Sequence, residues 1–320
     1  MEMFIRRIVH EASIPIGVYQ VFLAPVVLFV YNRLWHTQES VKALQKNVLA
    51  KESELVVFSD GPRSDADQPD VASVREYLKT ITGFKNVSVS EREKNQGLAQ
   101  SIIAGVSEVV KKHGRIIVLE DDLVCSLYFL KFMNEALEYY KNEDRVISAH
   151  GYTFPVSHRL PETFFLKGAD CWGWATWKRG WDLFEPDGKK LLGEIRRRRL
   201  QNDFDFNGTY PYTKMLENQT RGKNNSWAIR WYASAFLKDR LTLYPGRSLV
   251  KNIGTDASGT HCDMTALYDT QISRDPVEIM DIPIEENTLA RGEFERYLKK
   301  TKPGLGVRVK EMAAQFLKDR

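Results

Sequence analysis

The sequence predicts an α/β fold in which a mostly parallel sheet carries helices on both faces and a second half is fused to it. Short apolar runs alternate with amphipathic helical patterns from about residue 24 to residue 150. Polar and acidic residues gather just after the apolar runs. Each amphipathic helix needs a sheet face to bury against, so a regular alternation of this kind implies parallel strands joined by right-handed crossovers. Ligands in such sheets sit outside the carboxyl ends of the strands, which is where chemistry should be sought.

The predicted strands are Val26 to Val30, Leu55 to Phe58, Val87 to Val89, Ile116 to Leu119 and Val146 to Ala149. Between them, Val41, Leu44 and Val48 share one helix face after Thr37 as N-cap; Val71, Val74, Leu78 and Ile81 share another; Leu98, Ile102, Val106 and Val109 share a third. A fourth helix runs from about Ser126 to Lys141, with Phe129, Phe132, Met133, Ala136, Leu137 and Tyr140 turned inward. Ahead of the first strand, Arg6 and Arg7 precede an uncharged stretch from Ile14 to Tyr31. Pro15, Gly17, Gln20 and Pro25 interrupt it, so it reads as an appended segment running into a buried strand rather than as a membrane span or signal peptide.

With 320 residues, 43% of them hydrophobic and 28% charged, the chain has the apolar content of a globular protein, which excludes disorder, collagen and a disulfide mini-scaffold. A formal charge of +4 permits nucleic acid as a partner without indicating it. Cys125, Cys171 and Cys262 form no CxxC pair, which argues against a zinc knuckle or a disulfide framework and fits a reducing cytoplasm.

Of the segments after the strands, Glu120-Asp121-Asp122 carries the most information. Three successive acids at the rim of an apolar strand repel one another unless a cation or hydrogen-bond donors are present. Mg²⁺ and Mn²⁺ prefer oxygen ligands and are commonly shared between one or two carboxylates and the oxygens of a diphosphate. The plainer alternative is that the acids only cap the following helix. No Gly-rich fingerprint follows the first strand and no GxxxxGK[ST] loop occurs, so a dinucleotide-dependent dehydrogenase and a P-loop NTPase lose their main support.

Val27-Leu28-Phe29-Val30-Tyr31-Asn32-Arg33, Phe58-Ser59-Asp60-Gly61, Asn95-Gln96-Gly97-Leu98 and Val118-Leu119-Glu120-Asp121-Asp122-Leu123 occur in that order over about residues 25 to 155. The set resembles the GT-A glycosyltransferases, in particular the N-acetylglucosaminyltransferase that initiates complex N-glycans and bacterial surface-polysaccharide sugar transferases. The resemblance implies a GT-A-like, Rossmann-type sheet and a nucleotide-sugar donor, taken as a UDP-sugar, with Mn²⁺ or Mg²⁺. It implies that Arg33 meets the diphosphate or base side, that Asp60 accepts a hydrogen bond from uracil, and that Asn95 and Gly97 belong to the donor site. Asp122 would ligate the metal directly, Asp121 would stand near the ribose or the metal's water shell, and Glu120 near the hydroxyls of the donor sugar. Arg33 paired with Glu39, and Asp60 as a turn residue, are the structural alternatives.

In the second half, Trp172, Trp174, Trp177 and Trp181 place four of the seven tryptophans within twelve positions. Stacking on pyranose faces is one use for such density, and the Asp170-Cys171-Trp172-Gly173-Trp174 segment resembles the aromatic-glycine motif that shapes the donor and acceptor pocket. Core packing is the other use, and Trp177 and Trp181, spaced four apart, fit it better. Arg196 to Arg199 read first as a solvated helix face and second as a contact for anionic lipid or a lipid-diphosphate acceptor. The stretch from Asn224 to Leu237 reads as a helix capped by Asn225 or Ser226, followed by a strand from Leu241 to Tyr244. The related family carries its catalytic aspartate at this helix start, where the present chain has Ile229 and Arg230. An inverting transferase needs a carboxylate to take the acceptor proton. Asp170 is the candidate, ahead of Glu217 and Asp205, and retention of configuration stays open. Asn252 to His261 resembles the mobile loop over the donor, with His261 in reach of the diphosphate or ion, although a lone histidine also serves structure. A last helix from Val307 to Lys318 carries no recognisable chemistry.

The expected organisation is an extension over residues 1–24, a nucleotide-sugar-binding half over 25–160, an acceptor-binding half over 161–265 and a tail over 266–320. The expected function is transfer of a sugar from a UDP-sugar to a carbohydrate or lipid-linked acceptor in bacterial surface-polysaccharide assembly. The expected place is the cytoplasm, with contact at the inner face of the membrane left open. A sugar nucleotidyltransferase and a non-catalytic glycan-binding protein are the competing classes.

Overall fold

The computed structural model describes residues 23–255 and 268–300. The first half runs β1 (Val26–Val30), α1 (Leu34–Gln45), β2 (Glu54–Ser59), α2 (Gln68–Leu78), β3 (Asn86–Glu91), α3 (Leu98–His113), β4 (Arg115–Glu120), β5 (Leu123–Cys125), α4 (Phe129–Tyr139) and β6 (Val146–His150). The second runs β7 (Thr163–Lys167), β8 (Trp174–Trp177), α5 (Lys178–Trp181), α6 (Gly188–Arg197), α7 (Gln201–Phe204), α8 (Tyr212–Thr220), α9 (Trp227–Leu237), β9 (Leu241–Pro245), β10 (Val250–Asn252) and α10 (Thr288–Lys300).

Eight strands form one sheet in the order β3-β2-β1-β4-β8-β6-β9-β7. Pairing is parallel from β3 through β4 and between β6 and β9, while β8 and β7 run the other way. Alternation along the strands builds two cores. Val26, Leu28 and Val30 of β1 face α1, α2 and α4, whereas Val27 and Phe29 face α3 and a tryptophan cluster. This is the two-faced burial that near-continuous apolar strands require. A third core joins Phe164 and Leu166 of β7 to α6, α9 and α10. The mostly parallel α/β sheet expected from the sequence is present.

Local expectations differ at three places. Thr37 is not the N-cap of α1: the helix starts at Leu34, and the Thr37 hydroxyl donates to the Arg33 carbonyl at 2.9 Å. Val48 lies beyond the end of α1 and is exposed. The tryptophan segment forms a strand, β8, inserted antiparallel between β4 and β6. Its period-2 burial passed unseen because Trp174 and Trp177 belong to opposite cores. The helix Val307 to Lys318 and the segment before residue 23 lie outside the described residues.

Candidate active site

The carboxyl ends of β1, β2, β4 and β6 open on one edge of the sheet, and most of the expected site residues stand there. Arg33 follows β1, Asp60 follows β2, and Glu120 to Asp122 close β4. The Arg33 guanidinium spans Asp121 and Asp122, reaching Asp122 Oδ2 at 2.9 Å through the same Nη2 that contacts Asp121. Arg33 therefore does not pair with Glu39, which takes Lys42 instead. The turn is fixed from outside: Ser40 Oγ donates to the Asp121 carbonyl at 2.7 Å, and Ile253 N–H to that of Asp122 at 2.8 Å. Ile253 is brought there by the antiparallel ribbon of β5 and β10. The next residue must be glycine, because a Cβ on Gly254 would stand 2.3 Å from Asp122 Oδ2.

Asp121 and Asp122 are 5% and 9% exposed, and Asp121 Oδ2 has no hydrogen-bond partner. Burial and the neighbouring carboxylates push Glu120 up to about 8. Burial likewise pushes Asp121 up to about 6, against the pull of Arg33. Burial opposes charge on Arg33 as well, but Asp121 and Asp122 outweigh it and keep the guanidinium protonated. An orphaned carboxylate oxygen among crowded acids fits a divalent cation. Among the described residues no three acid, histidine or cysteine side chains form a closed metal cage. The fit is thus to an ion sharing its ligands with a phosphate, not to one enclosed by protein.

Asp60 holds two motifs together. Its Oδ1 accepts from Gly61 and Gln96 N–H, its Oδ2 from Gly97 N–H, each at 2.9 Å. Asn95 Nδ2 donates to the Gly61 carbonyl at 2.8 Å, and a Cβ on Gly61 would lie 2.5 Å from the Lys94 backbone. Gly97 takes φ of 76° as it turns the chain into α3, a conformation costly for residues with a side chain. A cleft of about 420 Å³ opens beside this junction, between Pro62–Gln68 and Glu93–Asn95.

The Asp170 side reaches the same edge from the other half. β8 pairs Val118 with Trp174, so the residues before Trp174 leave the sheet at the Glu120 end. Asp170 Oδ1 accepts from Cys171 N–H at 2.8 Å, and the Tyr244 hydroxyl approaches Oδ2 at 3.5 Å. Its side chain remains 36% exposed. Fully buried His150 ends β6 with Nε2 4.0 Å from Asp170 Oδ1 and accepts the Trp172 N–H at 3.1 Å. Burial pushes His150 down, so the ring is neutral with its proton on Nδ1. The Cys171 thiol is pushed well up, by burial first and then by the charges of Asp170, Glu120 and Asp122.

Trp172 is half-buried against Tyr152 and Tyr268, with ring centroids at 4.8 and 5.4 Å. Trp174 must be removed from the site. It is 0% exposed and packs on Trp181, Trp227 and Trp231 behind the sheet, because its position in β8 points it to the α3 face. Trp177 and Trp181 are core, as expected. The positions where the related family has its base are filled structurally: Ile229 is buried, and Arg230 binds the Ser226 and Pro186 carbonyls and Asn225 Oδ1. Glu217 pairs with Arg196, and Asp205 accepts from Thr213 N–H. Arg197 pairs with Glu194, as on a solvated face. His261 lies outside the described residues. Sequence reading missed His150, Tyr244 and Gly254. The first of these directly follows the run Val146 to Ala149 and so obeyed the strand-end rule that found the acids.

Residues 26–165 match the family model for glycosyl transferase family 2. No curated protein matches the chain. Among solved structures it is similar to TarS of S. aureus, at 19% identity over 46% of this chain and 25% of that one, with a TM-score of 0.30. It is also similar to the mannosyltransferase PcManGT from Pyrobaculum calidifontis in complex with GDP-Man and Mn²⁺, at 10% identity, 68% and 70% coverage and a TM-score of 0.36. A UDP-glucose pyrophosphorylase complexed with UDP-glucose gives 10% identity, 70% and 90% coverage and a TM-score of 0.36. The matched part of this chain spans only a quarter of TarS, and likenesses at these scores carry no weight on their own. The family match falls on under half of the chain, residues 26–165, and the mostly parallel sheet that carries it has the arrangement of a GT-A-like fold.

Proposed function

We propose that the protein transfers a sugar from a UDP-sugar, with Mn²⁺ or Mg²⁺, to a carbohydrate or lipid-linked acceptor in the assembly of a bacterial surface polysaccharide. The observation that carries the reading is the buried acid pair Asp121 and Asp122, one oxygen of it unpartnered, beside Arg33 at the edge where a diphosphate would lie. Asp122, with Asp121, would hold the ion, which when bound neutralises charge on the departing diphosphate. Arg33 would add its own positive charge to the phosphates. The junction held by Asp60, with Asn95 and Gly97, would shape the base pocket in the adjoining cleft. Glu120, half-buried behind the pair, would orient hydroxyls of the donor sugar.

At the same edge of the sheet, Asp170 would take the proton from the acceptor hydroxyl. Tyr244 and the Cys171 N–H hold its carboxylate, and neutral His150 backs it without competing as a charge. Trp172 with Tyr268 would offer apolar ring faces to the acceptor. Residues 25–160 and 161–265 would thus serve donor and acceptor, although they share one sheet. A cytoplasmic position with peripheral membrane contact suits a lipid-linked acceptor. No helix among the described residues is long and apolar enough to cross a membrane.

Calorimetric titration of UDP tests the assignment. Binding is expected to tighten at least about tenfold with Mn²⁺, and Asp122→Ala to erase that gain. Equal UDP affinity with and without the metal would sink it and favour a glycan-binding protein.

A further inference from the structure

We propose that Arg33 is an exchangeable counter-ion, which holds Asp121 and Asp122 together until a divalent cation enters with a nucleotide diphosphate, and then passes from the carboxylates to the phosphates. The inference rests on the donor reading above and adds an order to it: metal enters with nucleotide rather than first.

The ion pair is incomplete in a way that favours exchange. A guanidinium matched to carboxylate binds it bidentately through two nitrogens. Here a single nitrogen, Nη2, reaches both acids, while Nη1 is buried with no partner. On the other side Asp121 Oδ2 is buried and equally unpartnered. Each unsatisfied buried group costs free energy, so the arrangement leaves room for a better one. A divalent ion would satisfy the carboxylate oxygens, and a diphosphate would offer the guanidinium the fork of acceptors that it lacks.

The chain around Arg33 suits a fixed pivot with a movable end. Its carbonyl accepts from Thr37 N–H at 3.0 Å and from the Thr37 hydroxyl at 2.9 Å, so the backbone is anchored to α1. Its side chain forms no cap on that helix, and the acids are the partners that hold its head in place. A permanent structural clamp would require the same contacts, but it makes the opposite forecast for metal binding. If Arg33 stays, removing it lets two like charges spread and weakens the ion. If Arg33 competes, removing it frees the ligands and strengthens the ion.

Mn²⁺ titration followed by electron paramagnetic resonance, without nucleotide, separates the two. The wild-type protein is expected to bind Mn²⁺ alone weakly. Arg33→Ala is expected to bind it about tenfold more tightly, as when the competent state is about a tenth populated beforehand. The same variant is expected to bind UDP with saturating Mn²⁺ about tenfold more weakly than wild type. Unchanged or weaker Mn²⁺ binding by Arg33→Ala, with Mn²⁺-dependent UDP binding intact in wild type, overturns the exchange and leaves the donor reading standing. Failure of wild type to bind Mn²⁺ even with UDP overturns both. Thermal melting verifies that the variant folds. Should it not fold, the wild-type Arg33 Nε–H resonance, assigned by its loss in Arg33→Lys, decides: a shift with Mg²⁺ and UDP together but with neither alone is expected, and no shift with both contradicts the exchange.

Discussion

The rim around Glu120 to Asp122 and the rim around Asp170 lie at the same edge of the sheet but are built on opposite electrostatic terms. The first crowds three carboxylates behind one guanidinium, and burial with mutual repulsion lifts Glu120 to about 8 and Asp121 to about 6. The second sets a single, partly exposed carboxylate among a neutral histidine, tyrosines and Trp172. A site that concentrates charge is suited to a cation and a polyanion; one that isolates a carboxylate among neutral aromatic groups is suited to a neutral sugar and a proton. On the proposed function, the difference teaches that charge density, more than residue type, would divide donor from acceptor duties.

The sharpest way to break the comparison is to neutralise the isolated acid. Asp170→Asn is expected to lower kcat about 10²- to 10⁴-fold while leaving Mn²⁺-dependent UDP binding unchanged. Loss of UDP binding as well would move Asp170 to the donor side. Next in size is the contrast between neighbouring tryptophans. Trp174→Ala should cost about 3–5 kcal/mol in denaturant unfolding, because it opens a cavity among Trp181, Trp227 and Trp231. Trp172→Ala should leave the unfolding midpoint nearly in place and raise the acceptor KM about tenfold. Equal destabilisation by both would return Trp172 to the core.

A smaller effect lies in pH. Glu120 and Asp121 hold protons in the folded protein more tightly than in the unfolded chain, so without metal their stabilising contribution is present at low pH. It is lost as pH rises through about 6 and about 8, the values of the two folded groups. A bound ion requires the deprotonated acids, so Mn²⁺ with UDP should bind more tightly across the same interval and release protons. Calorimetry in buffers of different ionisation enthalpy measures that release; proton uptake would contradict it.

The acid rim was legible in the sequence because each part comes within three residues of the end of an apolar strand: Arg33 after Val30, Asp60 after Ser59, Asp121 after Glu120. Parallel topology alone brings those ends together. The rim around Asp170 was only half legible. Asp170 was found through the tryptophans beside it, but His150 and Tyr244 come from β6 and β9, and their meeting with Asp170 depends on the antiparallel insertion of β8. No local pattern encodes that insertion. Trp174 was misplaced for the same reason, since density of tryptophan does not tell which sheet face each ring takes. Gly254 could not be foreseen either, because its need arises from a contact with Asp122 across 132 positions of chain.

Diffraction from crystals grown with Mn²⁺ and UDP tests the central claim most directly. An anomalous manganese peak between the Asp122 carboxylate and the diphosphate is expected, with the uracil in the cleft beside Asp60. Nucleotide bound with no metal at Asp122, or metal bound elsewhere with that carboxylate still held by Arg33, would contradict it.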